Sequence, residues 1–338
     1  LMDEWFENAL LRSAVATAGI HHLSFGPFAA GTGYNLLHQH THSGGVFHNV
    51  KFAKGGTIGL ANALKTVAES YNVTIETNSQ VSSIDTDNDI CNGVTLVNGK
   101  SIKASITVSG LDPQNTFINL VGAPKLNPNF QTQLRNIKYR GSTARIHFAL
   151  KDLPQINNIS AEMMKTVFSI APTIEYQEKA ADSVKYGIVA NEPTVEFTIP
   201  SFINPDFAPD SKHVLSATVQ YAPYHLRNQK WTNSIKEDLI KTVTQMLENY
   251  IPNFPTMIES SMAISPPDLE SEFGLTEGNL NHGEMTLDQF MFMRPTISAA
   301  QYSTPIGNLY ICGPGTHPGG GLHCTNGFNT AQKIIKDY

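Results

Sequence analysis

The stretch Leu309-Tyr310-Ile311-Cys312-Gly313-Pro314-Gly315-Thr316-His317-Pro318-Gly319-Gly320-Gly321 decides how this chain is read. Four residues suited to a buried strand run straight into a glycine-rich turn. Beyond it, Phe328, Ala331, Ile334, Ile335 and Tyr338 recur at helical spacing. Strand, glycine turn and helix, in that order, present unpaired backbone N–H groups and a positive helix end to a phosphate or another electron-rich group. A tight turn needs one or two glycines. Five within nine residues imply that something approaches the backbone closely.

Upstream, a second glycine-to-helix junction begins at Lys54-Gly55-Gly56, followed by the stripe Leu60, Ala61, Leu64, Val67, Ala68 and Tyr71. Short β-like runs follow at 73–76, 80–85, 93–97 and 101–109, and Asn98-Gly99 is a two-residue hairpin signal between the last two. The N-terminal stretch 2–18 reads as one helix with Trp5, Phe6, Leu10, Leu11 and Val15 on a stripe. From about 124 to 295 prolines and polar loops separate β-like runs at 143–150, 194–199 and 214–221, and one clear helix carries Ile235, Leu239, Ile240, Val243, Leu247 and Tyr250. This texture reads as an α+β lobe inserted into the first. The expected division is a cofactor lobe at 50–122 and 296–338, and a substrate or interaction lobe at 1–49 and 123–295.

The bulk numbers exclude several classes. With 338 residues, 41% hydrophobic and 15% charged, the chain can bury a sizeable core. A net charge of −6 and the lack of any basic run argue against nucleic acid as a partner. No apolar run approaches the roughly 18 residues of a membrane span. Three widely spaced cysteines, Cys91, Cys312 and Cys324, suit a reducing compartment, such as a bacterial cytosol or a mitochondrial matrix.

Taken together, Gly55-Gly56 through Leu60, Ile75-Glu76-Thr77-Asn78-Ser79-Gln80-Val81, Asn98-Gly99, Val108-Ser109-Gly110-Leu111-Asp112-Pro113 and the glycine run Gly313–Gly321 make the chain similar to the phytoene-desaturase-type FAD-dependent oxidoreductases. Ser265-Pro-Pro-Asp-Leu-Glu270, Glu272-Phe-Gly274, Gly278-Asn279, Met285-Thr-Leu-Asp-Gln289 and Arg294-Pro295 mark one branch of that family. The resemblance implies an α/β, doubly wound FAD/NAD(P)-binding flavoprotein fold with an interleaved α+β substrate domain. It implies that Gly313, Gly315, Thr316, His317, Pro318, Gly319 and Gly320 lie along an FAD, with Gly55 and Gly56 also on the cofactor side. Val81 would meet the adenine edge through its backbone, and Ser109 and Gly110 would pass near the dinucleotide. The implied chemistry is hydride transfer at a carbon–carbon bond of an apolar small molecule, with no side chain singled out as catalytic. The alternative is a non-catalytic interaction or assembly protein of the same descent, without bound flavin.

Two departures qualify the resemblance. Family members usually carry a small residue and an arginine in the terminal motif, where this chain has His323-Cys324 and Phe328. The family also opens on strand, G-x-G-x-x-G and helix. Gly31-Thr-Gly33 lacks the third glycine and a preceding strand, and Gly313-Pro-Gly315 lacks the third glycine too. The chain therefore reads as the C-terminal two-thirds of such a flavoprotein, lacking the N-terminal dinucleotide-binding segment. An upstream segment or companion chain is expected to complete the FAD site, and a homo-oligomer is left open.

Histidines crowd at His21, His22, His38, His40, His42 and His48. Alternation at 38, 40 and 42 would set three imidazoles on one face of a strand, as zinc or copper requires. No carboxylate or cysteine at ligand spacing completes the set, so a polar loop near the substrate cavity is preferred and no metal is assigned. Glu270, Glu272, Glu277 and Glu284 read as a solvated acidic loop. Met285, Met291, Phe292 and Met293 suit core packing or an apolar tunnel, and His282 and Arg294 either hold a substrate or serve a structural ion pair or cap.

Overall fold

The computed structural model describes residues 1–40 and 52–338. In chain order the helices are α1 (Met2–Trp5), α2 (Ala9–Ile20), α3 (Thr32–His40), α4 (Gly56–Ser70), α5 (Pro128–Arg135), α6 (Ile174–Lys185), α7 (Pro200–Ile203), α8 (Asn233–Glu248), α9 (Phe254–Met257), α10 (Pro266–Phe273) and α11 (Thr325–Asp337). The strands are β1 (Val81–Asp87), β2 (Ile90–Leu96), β3 (Ser101–Lys103), β4 (Thr107–Ser109), β5 (Thr143–Leu150), β6 (Phe168–Ile170), β7 (Thr194–Thr198), β8 (His213–Gln220), β9 (Ile258–Ile264) and β10 (Leu309–Ile311). Two compact units result: Leu1–Ile75 with Ser142–Pro267, and Glu76–Gly141 with Asp268–Tyr338.

In the first unit, β5 has the sequence Thr-Ala-Arg-Ile-His-Phe-Ala-Leu, and its period of two splits the strand into two faces. Ala144, Ile146, Phe148 and Leu150 turn to the core, where they meet Leu215, Ala217 and Val219 of β8 and Leu239, Val243 and Leu247 of α8. Full burial of each larger side chain stabilises by roughly 1.5–3 kcal/mol. Phe148 meets Phe254 edge to face at 5.3 Å. The five strands run antiparallel in the order β6-β7-β8-β5-β9. On the opposite face stand Arg145, His147, Glu196, Thr198, Ser216 and Thr218, none of them in that core.

The N-terminal helix expected over 2–18 is two helices. The chain leaves helical geometry between Trp5 and Ala9, and the Asn8 side chain restarts it by accepting from Leu11 N–H. Trp5 and Leu10 are consequently exposed, while Val15 and Ala18 pack on Leu36 of α3. Gly19 permits that approach, since a Cβ there would lie 2.7 Å from the Thr32 carbonyl oxygen. The run 73–76 forms no strand.

In the second unit β1, β2 and β3 form an antiparallel sheet, and Asn98-Gly99 turns β2 into β3 with Gly99 at φ +84°. Ile84 and Cys91 pack on Phe117 and Val121 of a π-type helix (Gln114–Gly122), on Phe130 and Leu134 of α5, and on Leu309 and Ile311. The run 101–109 is divided: β3 stays in the antiparallel sheet, whereas β4 pairs in parallel with β10, Leu309 opposite Thr107 and Ile311 opposite Ser109.

The unit boundaries differ from the lobes expected at 50–122, 296–338, 1–49 and 123–295. Helix α4 falls in the first unit because Gly55 N–H donates to Asn204 Oδ1 at 3.1 Å and Gly56 lies against Phe207. Residues 123–141 and 268–295 fall in the second, where α5 shares its core and the segment after α10 wraps the glycine turn. Among the described residues no helix is long and apolar enough to cross a membrane.

Candidate flavin site

The two parallel strands end side by side. Past β4 comes Ser109-Gly110-Leu111, and past β10 comes Cys312-Gly313. Ligands of open α/β sheets bind outside such carboxyl ends. Here the β4 end borders a cleft of about 500 Å³, lined among others by Val81, Val108, Ser109, Gly110, Leu111 and Leu120, and Gly313 past β10 lies against Gly110. Val108 and Leu111 keep 44% and 45% of their surface exposed, so apolar side chains face the opening. A Cβ on Gly110 would meet only Cys312 Sγ, at 3.7 Å, so its open side is not filled by protein. Ser109 is buried and its hydroxyl bonds Thr116 Oγ1 at 2.7 Å, which leaves its carbonyl to accept from Cys312 N–H at 2.8 Å.

The turn 313–321 is held from beneath. Arg294, 2% exposed, donates Nε–H to the Pro314 carbonyl at 2.9 Å, Nη2–H to the carbonyls of Asn281 and Gly283, and Nη1–H to that of Gln289 at 3.1 Å. Among the described residues no carboxylate pairs with it; backbone dipoles solvate the charge, and burial pushes its pKa down to about 10. Arg294 thus has a structural role, tying the segment 281–289 to the turn. His282 is half-buried beside it, and burial lowers its pKa. Glu284 is fully buried and paired with Arg140 at 2.5 Å, which corrects the reading of a solvated acidic loop. Met285 packs under Gly319, but Met291 and Phe292 are exposed, so the four residues 285 and 291–293 make neither one core patch nor one tunnel.

Several of the turn's glycines answer to protein neighbours. A Cβ on Gly313 (φ +88°) would come within 2.8 Å of the Gly110 carbonyl oxygen, one on Gly315 within 3.0 Å of Pro113, and one on Gly319 (φ +108°) within 2.7 Å of Met285. Close approach is therefore real, and much of it is made by the fold itself. Gly320 and Gly321 are packed as well, a Cβ on the first colliding with Asn281 Oδ1 and one on the second falling 2.8 Å from His323 Cδ2. The backbone N–H groups of Gly320, Gly321 and Leu322, however, have no acceptor among the described residues. Helix α11 then starts at Cys324 in a left-handed conformation without a side-chain cap. Helix α4 likewise starts at Gly55 without one. By contrast α2, α5, α6 and α8 are each capped by an Asn or Thr side chain. Neither helix start carries a cap from its N-cap side chain, although at α11 the Thr325 N–H donates to His323 Nδ1 at 3.2 Å.

Val81, Ser109, Gly110, Gly313, Gly315, Thr316, His317, Pro318, Gly319 and Gly320 all lie in the second unit, of which Val81, Ser109 and Gly110 line the cleft and Gly313 lies against Gly110, while Gly55 and Gly56 belong to the first. Thr316 is buried and receives Asn326 Nδ2–H, and the His317 carbonyl accepts from Tyr302 O–H at 3.0 Å. Sequence reasoning missed the supporting shell. Asp112 accepts from Asn115 N–H at 2.9 Å and Thr276 O–H at 2.9 Å, clamping the segment after β4. The only signal was an Asp-Pro pair after a strand, which marks a turn without naming its partners.

His38 and His40 lie on helix α3, not on a strand, so alternation there does not put them on one face. His42 and His48 fall outside the described residues. Among the described residues no three His, Cys, Asp or Glu side chains gather as metal ligands would.

The sequence profile of flavin containing amine oxidoreductases matches residues 25–334. The chain belongs to that family. It is 29% identical to pyridine nucleotide-disulfide oxidoreductase domain-containing protein 2 of Rattus norvegicus, over 100% of this chain and 60% of that protein. It is 26% identical to a lycopene-forming phytoene desaturase of a Paracoccus species, over 92% of this chain and 59% of the other. The chain thus spans about 60% of the length of the curated relatives it matches. An oxidoreductase from Methanosarcina mazei superposes with a TM-score of 0.62 at 15% identity, covering 99% of this chain and 69% of that one. A putrescine oxidase variant superposes with a TM-score of 0.61 at 12% identity, covering 99% and 66%. The fold is accordingly the mixed α/β fold of FAD-dependent amine oxidases and related oxidoreductases.

Proposed function

We propose that this chain is the larger part of an FAD-dependent oxidoreductase that adds or removes hydrogen across a carbon–carbon bond of an apolar substrate. The observation that carries the reading is the cleft at the carboxyl end of β4, with Gly110 unfilled and Gly313, past the paired strand β10, pressed against Gly110. Such a surface lets a flat ring or a dinucleotide chain come within contact distance of backbone. Ser109 and Gly110 would border the dinucleotide, the backbone of Val81 the adenine, and Gly313, Gly315, Thr316, His317, Pro318, Gly319 and Gly320 the ring and its tail. A flavin, when bound, supplies hydride acceptance and donation. The chain's own part is to orient it, exclude water and present N–H donors at Gly320–Leu322 where negative charge gathers.

The desaturase relative's name motivates the apolar substrate, and Val108 and Leu111 at the cleft mouth suit one. A further segment or companion chain pairing beside the two-stranded parallel sheet would complete the cofactor site, since parallel sheets are ordinarily covered on both faces. The same two-stranded sheet favours a second reading, a non-catalytic interaction protein of this descent. Titrating the purified chain with FAD, and following flavin fluorescence, separates the two. The first reading expects saturable binding, weakened at least tenfold by Gly110→Val, whose Cβ would meet nothing closer than Cys312 Sγ at 3.7 Å. Binding unaffected by that change would sink the assigned site; absence of binding both alone and with the completing segment would favour the second reading.

A further inference from the structure

The polar face of the sheet in the first unit takes no part in that reading. Strand register sets Ser169, Glu196, Thr218 and Arg145 in one row across β6, β7, β8 and β5. Thr198, Ser216 and His147 form the next row. From these rows Glu196, Thr218, Arg145 and Ser216, together with His21 and His22, line a cavity of about 610 Å³. That size lies within the range of small-molecule sites.

Charge is unevenly matched in it. Glu196 is engaged by His21, Oε2 to Nε2 at 2.9 Å. Arg145 is half-buried and forms no ion pair with a described residue; its one hydrogen bond to a described residue runs from Nη1 to Thr218 Oγ1 at 2.7 Å. A guanidinium carries five N–H donors, so most of its fork is unused. Glu196 acts on Arg145 through its field only, with Thr218 standing between them in the row, so the desolvated N–H donors still gain from an acceptor that a ligand would supply. We infer that this cavity binds the carboxylate of a monoanionic organic acid, with Arg145 as the bidentate fork and Thr218 holding that fork in place.

The chemistry narrows the class. Planar guanidinium matches planar carboxylate through two parallel hydrogen bonds. Once Glu196 and His21 offset each other, one positive charge is left over, so a dianion would meet Glu196 uncompensated. His22 adds none, because burial and the neighbouring His21 and Arg145 charges push its pKa down to about 3. The inference stands whether or not the second unit holds a flavin.

Calorimetric titration of the whole chain with octanoate, octylamine, octanol and inorganic phosphate tests it. Octanoate should bind saturably and raise Tm, and the other three should not. Arg145→Gln should weaken octanoate at least tenfold. Arg145→Lys, which keeps the charge and loses the fork, and Thr218→Val, which frees the fork, should each weaken it several-fold and keep the argument testable if the glutamine variant fails to fold. The inference is overturned if octanoate does not bind the folded chain, if these variants bind it as the parent does, or if octylamine or phosphate binds as tightly as octanoate.

Discussion

The two candidate sites of this protein are built from different materials. In the second unit the site is backbone: glycines, carbonyl ends of parallel strands and N–H groups without acceptors among the described residues. In the first unit it is side chain: an arginine, a glutamate and two histidines, with hydroxyls projecting from one face of an antiparallel sheet. A backbone site must be shaped by steric room, hence the glycines. A side-chain site can be assembled from ordinary residues, because strand register alone brings them together.

The sharpest way to break this contrast is to remove the support of the backbone site. Arg294→Leu would leave the carbonyls of Asn281, Gly283, Gln289 and Pro314 without their donor, and should cost about 3–5 kcal/mol in denaturant unfolding. A loss below about 1 kcal/mol would show that water replaces the guanidinium and that the turn holds itself.

A smaller effect is expected inside the turn. Gly313→Ala places a Cβ at φ +88° against the Gly110 carbonyl and should cost about 1–3 kcal/mol. It should also displace Gly110, so flavin affinity falls with stability; an unchanged affinity would separate the turn from the cleft.

In the side-chain site the expected effect depends on pH. Burial alone would depress the His21 pKa, but the charge and hydrogen bond of Glu196 outweigh it and raise His21 above 6.5. Burial would raise Glu196, yet chiefly the His21 charge and hydrogen bond, with Arg145, hold it below 4.5. A raised histidine stabilises below its unfolded pKa and loses that contribution as pH rises through the folded value; the depressed glutamate loses its contribution as pH falls. The Tm difference between the parent chain and Glu196→Gln should therefore be largest in mildly acidic solution and shrink above neutrality. His22, Arg145 and His40 face the same pair, and a flat difference across that range would show that they, not Glu196, set its charge.

The smallest test contrasts helix starts. Thr173→Ala removes the cap that accepts from Tyr176 N–H and should cost about 1 kcal/mol. Cys324→Ala removes no cap at α11 and should change stability by less than about 0.5 kcal/mol.

How far each site could be read in advance follows from the same contrast. The run Leu309–Ile311, the helix after residue 324, the Asn98-Gly99 hairpin and the strand Thr143–Leu150 are local patterns, and each appears where periodicity or turn chemistry places it. The failures are non-local. The run at 73–76 has β-like residues but no partner strand among the described residues, and 101–109 splits because Thr107–Ser109 pairs with residues some 200 positions away. The stripe through Trp5 and Leu10 is interrupted because Asn8 can cap, a choice that periodicity alone does not weigh.

What the amino-acid order alone determined was the class of the protein: a strand, a dense glycine turn and a helix, with family motifs around them, are short-range features written in consecutive residues. Tertiary structure decided the rest. That Arg294 serves the turn rather than a ligand, and that Arg145, Glu196, His21 and Thr218 share one cavity, depends on chain segments far apart in sequence. The physical reason is that a conformational preference acts over a few residues, whereas charge pairing, desolvation and register act through space and become legible only once the chain has folded.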